Sequence, residues 1–153
     1  MTTVPRTTGP ASTGCDVRTM DVEETPSTNL IALQLAAKGE RGPLWISARR
    51  QTAGRGRSGR AWASIEGNLF ATLLMTPDCS LADATQLSLV AGVATVDAAR
   101  RAIEPAGLAG LRLKWPNDIL IGRQKLGGIL LESVSAPGGA PAVARGIGIN
   151  LFG

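Results

Sequence analysis

The chain alternates short apolar runs with turn residues, and the runs change period along its length. Residues 19–24 read as a short strand. "TPSTNLIALQLAAKGERG" then reads as a helix: Ser27 or Thr28 is a natural N-cap, Leu30, Leu33 and Ala37 share a helical face, and Gly39 stops it. "LWISA" (44–48) and "GNLFATLLM" (67–75) are rich in strand formers. Residues 80–105 read as the longest helix, capped by Ser80 or Asp83 and ending before Pro105; it is apolar nearly all round from Leu87 to Val96, the pattern of a buried helix. "LRLKW" (111–115), "DILI" (118–121), "KLGGILLES" (125–133) and "PAVARGIGINLF" (141–152) read as strands, with a hairpin turn at Gly122-Arg123.

Several consecutive strands and only two clear helices predict an α+β fold, with a mixed or largely antiparallel sheet and a buried central helix. Residues 1–18, rich in Thr, Pro, Gly and Ser, read as a disordered tail before a single domain over 19–153. No apolar run reaches the ~20 residues of a membrane-spanning helix, and 1–18 lacks the apolar segment of a secretory signal. Cys15 and Cys79 suggest neither a disulfide framework nor a zinc site, so a cytoplasmic setting is expected. The absence of histidine removes His-based nucleophilic triads and most transition-metal sites.

The net charge of +4 is unevenly distributed. Six arginines (41, 49, 50, 55, 57 and 60) lie between Arg41 and Ile65 with no acid among them. Three belong to "GRGRSGR" (54–60), whose glycines have the G-x-G-x-x-G spacing of a dinucleotide loop. That reading needs a helix opening inside the motif, whereas "RAWASIEGNLF" runs on into a strand. A nucleic-acid patch would explain the arginines, with Trp62 to stack on a base, but aromatics are only 3% of the chain and the basic run is one loop. A solvated loop explains the arginines without the glycines. A loop folded over a small polyanion explains both: guanidinium forks match carboxylate and phosphate oxygens, and glycines let backbone N–H groups approach them. Mutual repulsion of the arginines implies a loop that orders when it binds such a ligand.

"STN" (27–29), "QTAGRGRSGRAW" (51–62), "KWPNDIL" (114–120), "KLGGILLE" (125–132) and "GIGIN" (146–150) occur in the order and approximate spacing of biotin protein ligases, which the chain resembles from about 27 to 150. The resemblance implies the class II aminoacyl-tRNA synthetase / biotin protein ligase fold. It also implies ATP-dependent activation of biotin to biotinoyl-5′-AMP, then transfer to a lysine of a biotin carboxyl carrier domain of acetyl-CoA carboxylase or a related carboxylase. Biotin and ATP would be substrates, with Mg2+. The nucleophiles are then the substrate's carboxylate and the partner's lysine, which suits a chain without histidine.

Ser27, Thr28, Asn29 and Gln51 resemble the residues around the biotin ring; a helix cap and a surface amide are the plain alternatives. Arg55, Gly56 and Arg57 resemble the loop over biotin and the adenylate, with Arg57 at the carboxylate–phosphate junction. Arg60 resembles a phosphate contact, or is a solvated arginine. Trp62 resembles a lid tryptophan, or is a core residue. Lys125 resembles the lysine that reaches both biotin and phosphates, making Arg55, Arg57 and Lys125 the catalytic candidates. Lys114, Asn117 and Asp118 resemble the nucleotide side, with Asp118 the candidate metal carboxylate, chiefly through substrate phosphates; an Asn-Asp turn is the alternative. Trp115 reads as a core residue. Gly127, Gly128 and Gly148 would lay backbone against the biotin ring, or mark a bulge. Asn150 is a candidate nucleotide contact.

No winged helix-turn-helix precedes these motifs, so no nucleic-acid partner is expected; nor is a membrane partner, while a homodimer remains compatible. The chain stops at Gly153, soon after "GIGIN", so the expected domain is the N-terminal portion of a longer catalytic domain. A lipoate–protein ligase, a basic nucleic-acid-binding module and a non-catalytic fragment are the competing readings.

Overall fold

A computed structural model describes residues 17–102 and 110–151. Its elements are β1 (Arg18–Thr25), α1 (Thr28–Ala37), β2 (Leu44–Gln51), a 3-10 turn (Arg57–Gly59), β3 (Leu69–Met75), α2 (Leu81–Ala84), α3 (Leu87–Ala102), β4 (Arg112–Lys114), β5 (Asp118–Ile121), β6 (Gln124–Ser135) and β7 (Pro141–Ile149). The strands form one seven-stranded sheet in the order β1-β2-β3-β7-β6-β5-β4. Only β1 and β2 run parallel, joined through α1; every other pairing is antiparallel. The expected α+β class with a mixed sheet is the observed one.

Strand alternation divides the core between the two faces of the sheet. On one face α1 lies over Ile46, Leu74, Ala142 and Ala144. On the other α3 lies over Ile119, Ile129 and Ile149. Beside the expected face shared by Leu30, Leu33 and Ala37, the buried positions of α1 are Thr28, Asn29, Ala32 and Ala36; Leu33 packs at the edge of this core and Ala37 is exposed. Both stripes have helical spacing, and small residues win because they let the helix axis sit close to the strands.

The predicted long helix is two helices, broken at Thr85-Gln86. Ser80 caps α2: its Oγ accepts from the Asp83 amide at 3.1 Å and donates to the Asp83 carboxylate at 2.7 Å. Nor is α3 the buried central helix that its composition predicted. Ala91, Gly92 and Val96 pack inward, whereas Leu89, Val90 and Val93 are 40%, 56% and 55% exposed. A helix apolar all round does not say which side is covered, and the described residues cover one. Gly92 makes the close approach possible, because a Cβ there would lie 2.8 Å from the Leu113 side chain.

β1 begins at Arg18, inside the expected tail, and the rest of that tail (1–16) lies outside the described residues, as do the predicted helix end (103–105) and strand end (152). Arg18 grips Glu40 with two hydrogen bonds, 3.1 and 2.6 Å. These bonds, reinforced by the Gly42 amide, hold the Glu40 carboxyl below the usual carboxylate range. Among the described residues no helix is long and apolar enough to cross a membrane.

The one-sided packing of α3 separates two valines three residues apart. Val93→Asp is expected to change the stability of this chain by less than about 0.5 kcal/mol. Val96→Asp places a carboxylate in the second core and should cost several kcal/mol or unfold the chain. Urea unfolding followed by circular dichroism distinguishes them; equal loss from both variants contradicts this orientation.

Candidate active site

The sheet's α1 face carries a cavity of about 410 Å3. One wall is the 54–62 segment, which folds as a closed hairpin-like loop. The Trp62 amide donates to the Gly54 carbonyl at 2.9 Å, the Gly56 amide to the Arg60 carbonyl at 2.7 Å, and Arg55 pairs with Ala61. Its tip turns at Ser58 and Gly59, both with positive φ (56° and 71°). No α-helix starts within it or between it and β3, so the spacing lacks the helix N-terminus that a dinucleotide loop needs. Arg55, Arg57 and Arg60 line the cavity. Two others of the six clustered arginines serve elsewhere: Arg49 and Arg50 form exposed ion pairs with Glu23 and Glu24 of β1.

The polar start of α1 forms another wall. Ser27, Thr28 and Asn29 are all buried. Ser27 holds the N-cap position, yet its side chain makes no capping bond. Gln51 caps the helix instead: its Oε1 accepts from the Thr28 amide at 2.8 Å and from the Thr28 hydroxyl at 3.1 Å. An amide nitrogen can only donate, so this contact fixes the Gln51 orientation and leaves Nε2 as a donor beside the cavity. Below, the wholly buried Thr72 hydroxyl donates to Asn29 Oδ1 (2.7 Å) and lies 2.8 Å from the Thr28 hydroxyl. Asn29 Nδ2 donates to the Leu130 carbonyl (3.3 Å) and to Glu132 (2.8 Å). Gly146 makes room for this asparagine, since a Cβ there would sit 2.5 Å from Oδ1.

The floor is bare backbone. The Trp62 indole lies against Gly128 and Gly148, where added Cβ atoms would come within 3.1 and 2.8 Å of the ring. Trp62 Nε1 is buried without a hydrogen-bond partner. Lys125 Nζ stands 5.2 Å from the Trp62 ring centroid and 2.7 Å from Asp118. A register shift between Ile119 and Leu120 leaves Leu126 of β6 unpaired beside Lys125, so a bulge accompanies the glycine backbone. Asn117 ties the β4–β5 turn to β6: its Nδ2 donates to the Ile129 carbonyl at 2.8 Å, and its Oδ1 lies 3.4 Å from Arg57. Arg55, Arg57, Arg60, Lys114 and Lys125 thus line one cavity with a single lining carboxylate, Asp118. The result is a strongly positive concavity.

The sequence candidates therefore converge. Ser27, Thr28, Asn29, Gln51, Arg55, Gly56, Arg57, Arg60, Trp62, Lys114, Asn117, Asp118, Lys125, Gly128 and Gly148 all line this cavity. Asn150 does not: its amide donates to the Leu126 carbonyl (2.7 Å) and its side chain to the Lys125 carbonyl (3.2 Å), so it braces the Lys125 segment. Gly127 packs against the Gly148 carbonyl instead of lining the cavity. Trp115 is not a core residue; it is 75% exposed at the cavity's edge, because β4 ends at Lys114 and the turn carries it outward. Thr72 and Glu132 also belong to the Asn29 network, outside the residues expected from sequence. Period-two alternation placed Glu132 on the face of Gly128 and Leu130, a usable signal; nothing marked Thr72 among the strand formers around it.

Residues 21–151 match the family model described as the Biotin/lipoate A/B protein ligase family. A biotin–[acetyl-CoA-carboxylase] ligase of Paracoccus denitrificans is 50% identical over 129 residues, covering 84% of this chain and 52% of that protein. The structure superposes on a biotin protein ligase of Leishmania major in complex with biotinyl-5-AMP (TM-score 0.75, 29% identity, 88% of this chain and 57% of that one). It also superposes on one of Aquifex aeolicus in complex with biotin and ATP (TM-score 0.69, 31% identity, 88% and 53%). The chain spans about half the length of these relatives.

The buried hydroxyl of Thr72 yields a direct expectation. Thr72→Val preserves shape but leaves Asn29 Oδ1 without its donor, at a cost of about 1–3 kcal/mol. The urea midpoint should fall accordingly; an unchanged midpoint contradicts the role assigned to this hydroxyl.

Proposed function

The chain belongs to the biotin/lipoate A/B protein ligase family, and we propose that it activates biotin with ATP and passes it to a carrier lysine. One observation carries this reading. The same cavity is lined by a hydrogen-bonding end, built from Ser27, Thr28, Asn29 and Gln51, and by the arginines of the 54–60 loop. That combination suits a ligand with a polar ring and a carboxylate, joined to a polyphosphate.

In the first step a biotin carboxylate oxygen attacks the α-phosphorus of ATP. The new O–P bond forms as the bond to pyrophosphate breaks, giving biotinoyl-5′-AMP. Two anions must be brought together, and the chain's work is positioning and charge compensation. Gln51 Nε2 offers a donor to the ureido carbonyl, with Ser27, Thr28 and Asn29 completing that pocket. Gly128 and Gly148 admit the ligand against backbone, and Trp62 covers it and excludes water from the labile anhydride. Arg55 and Arg57 meet the carboxylate and the α-phosphate, Arg60 and Lys114 the phosphates, and Lys125 reaches both substrates. Asn117 steadies Arg57. In the second step the amine of a lysine on a biotin carboxyl carrier domain attacks the acyl carbon, AMP leaves, and the amine loses a proton.

The described residues contain no group of three or more potential metal ligands, and Asp118 is already paired with Lys125. That donor set fits a Mg2+ held mainly by phosphates and water, with Asp118 as its protein carboxylate. Such an ion would neutralise phosphate charge.

Lipoate is the competing acid. Its dithiolane ring has no hydrogen-bonding atoms comparable to a ureido group, so it would leave the Gln51 donor unmet, which favours biotin. The pairing of Arg49 and Arg50 with Glu23 and Glu24 weakens the nucleic-acid reading, because it breaks the basic run into separate pieces.

ATP–pyrophosphate exchange tests the proposal. Exchange by the folded chain should rise with biotin and stay at background with lipoate or no acid. Arg57→Ala removes a charge-assisted contact of about 1.5–3 kcal/mol and should slow biotin-dependent exchange roughly 10- to 150-fold. Absence of biotin stimulation, or equal stimulation by lipoate, would reject it.

A further inference from the structure

We propose that Glu132 is the internal counter-ion of Arg55 and competes with the ligand's carboxylate for it, so that it sets how strongly the site prefers a charged acid over its neutral analogue. This rests on the reading that Arg55 meets the ligand carboxylate, and extends it to a residue outside the expected set.

The geometry gives the two partners unequal freedom. Glu132 belongs to β6 and pairs with Ala144 of β7 in the middle of the sheet. One of its oxygens, Oε2, is held by Asn29 Nδ2 at 2.8 Å, and Asn29 is held in turn by the buried Thr72 hydroxyl at 2.7 Å. The other oxygen, Oε1, lies 3.4 Å from Arg55 Nη2. The Glu132 side chain is 26% exposed, against 76% and 52% for Glu23 and Glu24 in the arginine pairs at the β1 edge. Arg55 is 46% exposed, so the pair is partly open, but it is less screened than the β1-edge pairs and its charge counts for somewhat more. Arg55, by contrast, sits on the 54–62 hairpin.

Glu132 is thus a fixed carboxylate aimed at a cation on a loop. A second carboxylate arriving at the same guanidinium must share it with Glu132 or displace it. Two carboxylates near one cation repel each other, so a charged ligand meets a penalty that a neutral one escapes. In return, the pair anchors the hairpin to β6 whenever no ligand carboxylate is bound. Glu132 is a positioning residue: it acts through Arg55 and Asn29 and forms no bond in the reaction.

Glu132→Gln isolates the charge, because the amide oxygen still accepts from Asn29 and the shape is kept. Two measurements on the wild-type and variant chains decide the proposal. The first is calorimetric titration with biotin and with its neutral carboxamide. The variant should bind biotin about 5- to 10-fold more tightly and the carboxamide unchanged; parallel weakening for both, or no change for either, would overturn it. The second is hydrogen exchange of the Gly56 and Trp62 amides without ligand, which should accelerate several-fold in the variant; unchanged exchange would overturn it too. If the wild type binds neither compound, the biotin reading fails, and the exchange measurement alone then decides whether Glu132 anchors the loop.

Discussion

The first residues of α1 are polar, and they are buried. Ser27, Thr28 and Asn29 sit on the inner face of a sheet, where an unmatched donor or acceptor costs far more than at the surface. Their partners come from three separate strands: Gln51 from the end of β2, Thr72 from the middle of β3, and Glu132 and the Leu130 carbonyl from β6. Satisfying that cluster ties the crossover helix to both halves of the sheet. It also fixes the polarity of the site, because Gln51 must turn its carbonyl toward the helix and its nitrogen toward the cavity.

The second constraint is electrostatic. Five cations lining one cavity repel one another, and folded chains tolerate such a concentration where carboxylates share it. Asp118 at 2.7 Å from Lys125 and Glu132 at 3.4 Å from Arg55 supply two compensations within the fold. Both pairs are partly exposed, so each is modest in energy and open to exchange for a ligand anion. The glycines of β6 and β7 serve the same site differently. By carrying no Cβ they let Trp62 lie flat on the strands, so one segment supplies both the arginine loop and an aromatic cover.

Much of the fold was legible in the sequence because strand periodicity and turn glycines are local signals. Residues 118–121 were placed at their observed bounds, and the α+β class followed from the order of elements. The failures share a cause. The face of α1 that packs, the break at Thr85-Gln86, the exposed side of α3 and the outward Trp115 each depend on which neighbour an element meets, and residue type alone does not encode that. The site was legible in a different way. Its motifs are contiguous, so their residues were found together, and all but Asn150 and Gly127 reach the cavity. Thr72 and Glu132 escaped because their importance lies in hydrogen bonds to residues 43 and 103 positions away.

The proposed function requires one orientation: polar ring toward Gln51 and Asn29, carboxylate toward Arg55 and Arg57, and the ligand between Trp62 and the glycine floor. A crystal structure of the chain with biotin and a non-hydrolysable ATP analogue tests it most directly. The expected complex has the ureido carbonyl within hydrogen-bonding distance of Gln51 Nε2, the carboxylate on the arginine loop, and the indole moved away from Gly128 and Gly148. A ligand bound in the reverse direction, or outside this cavity, would contradict it.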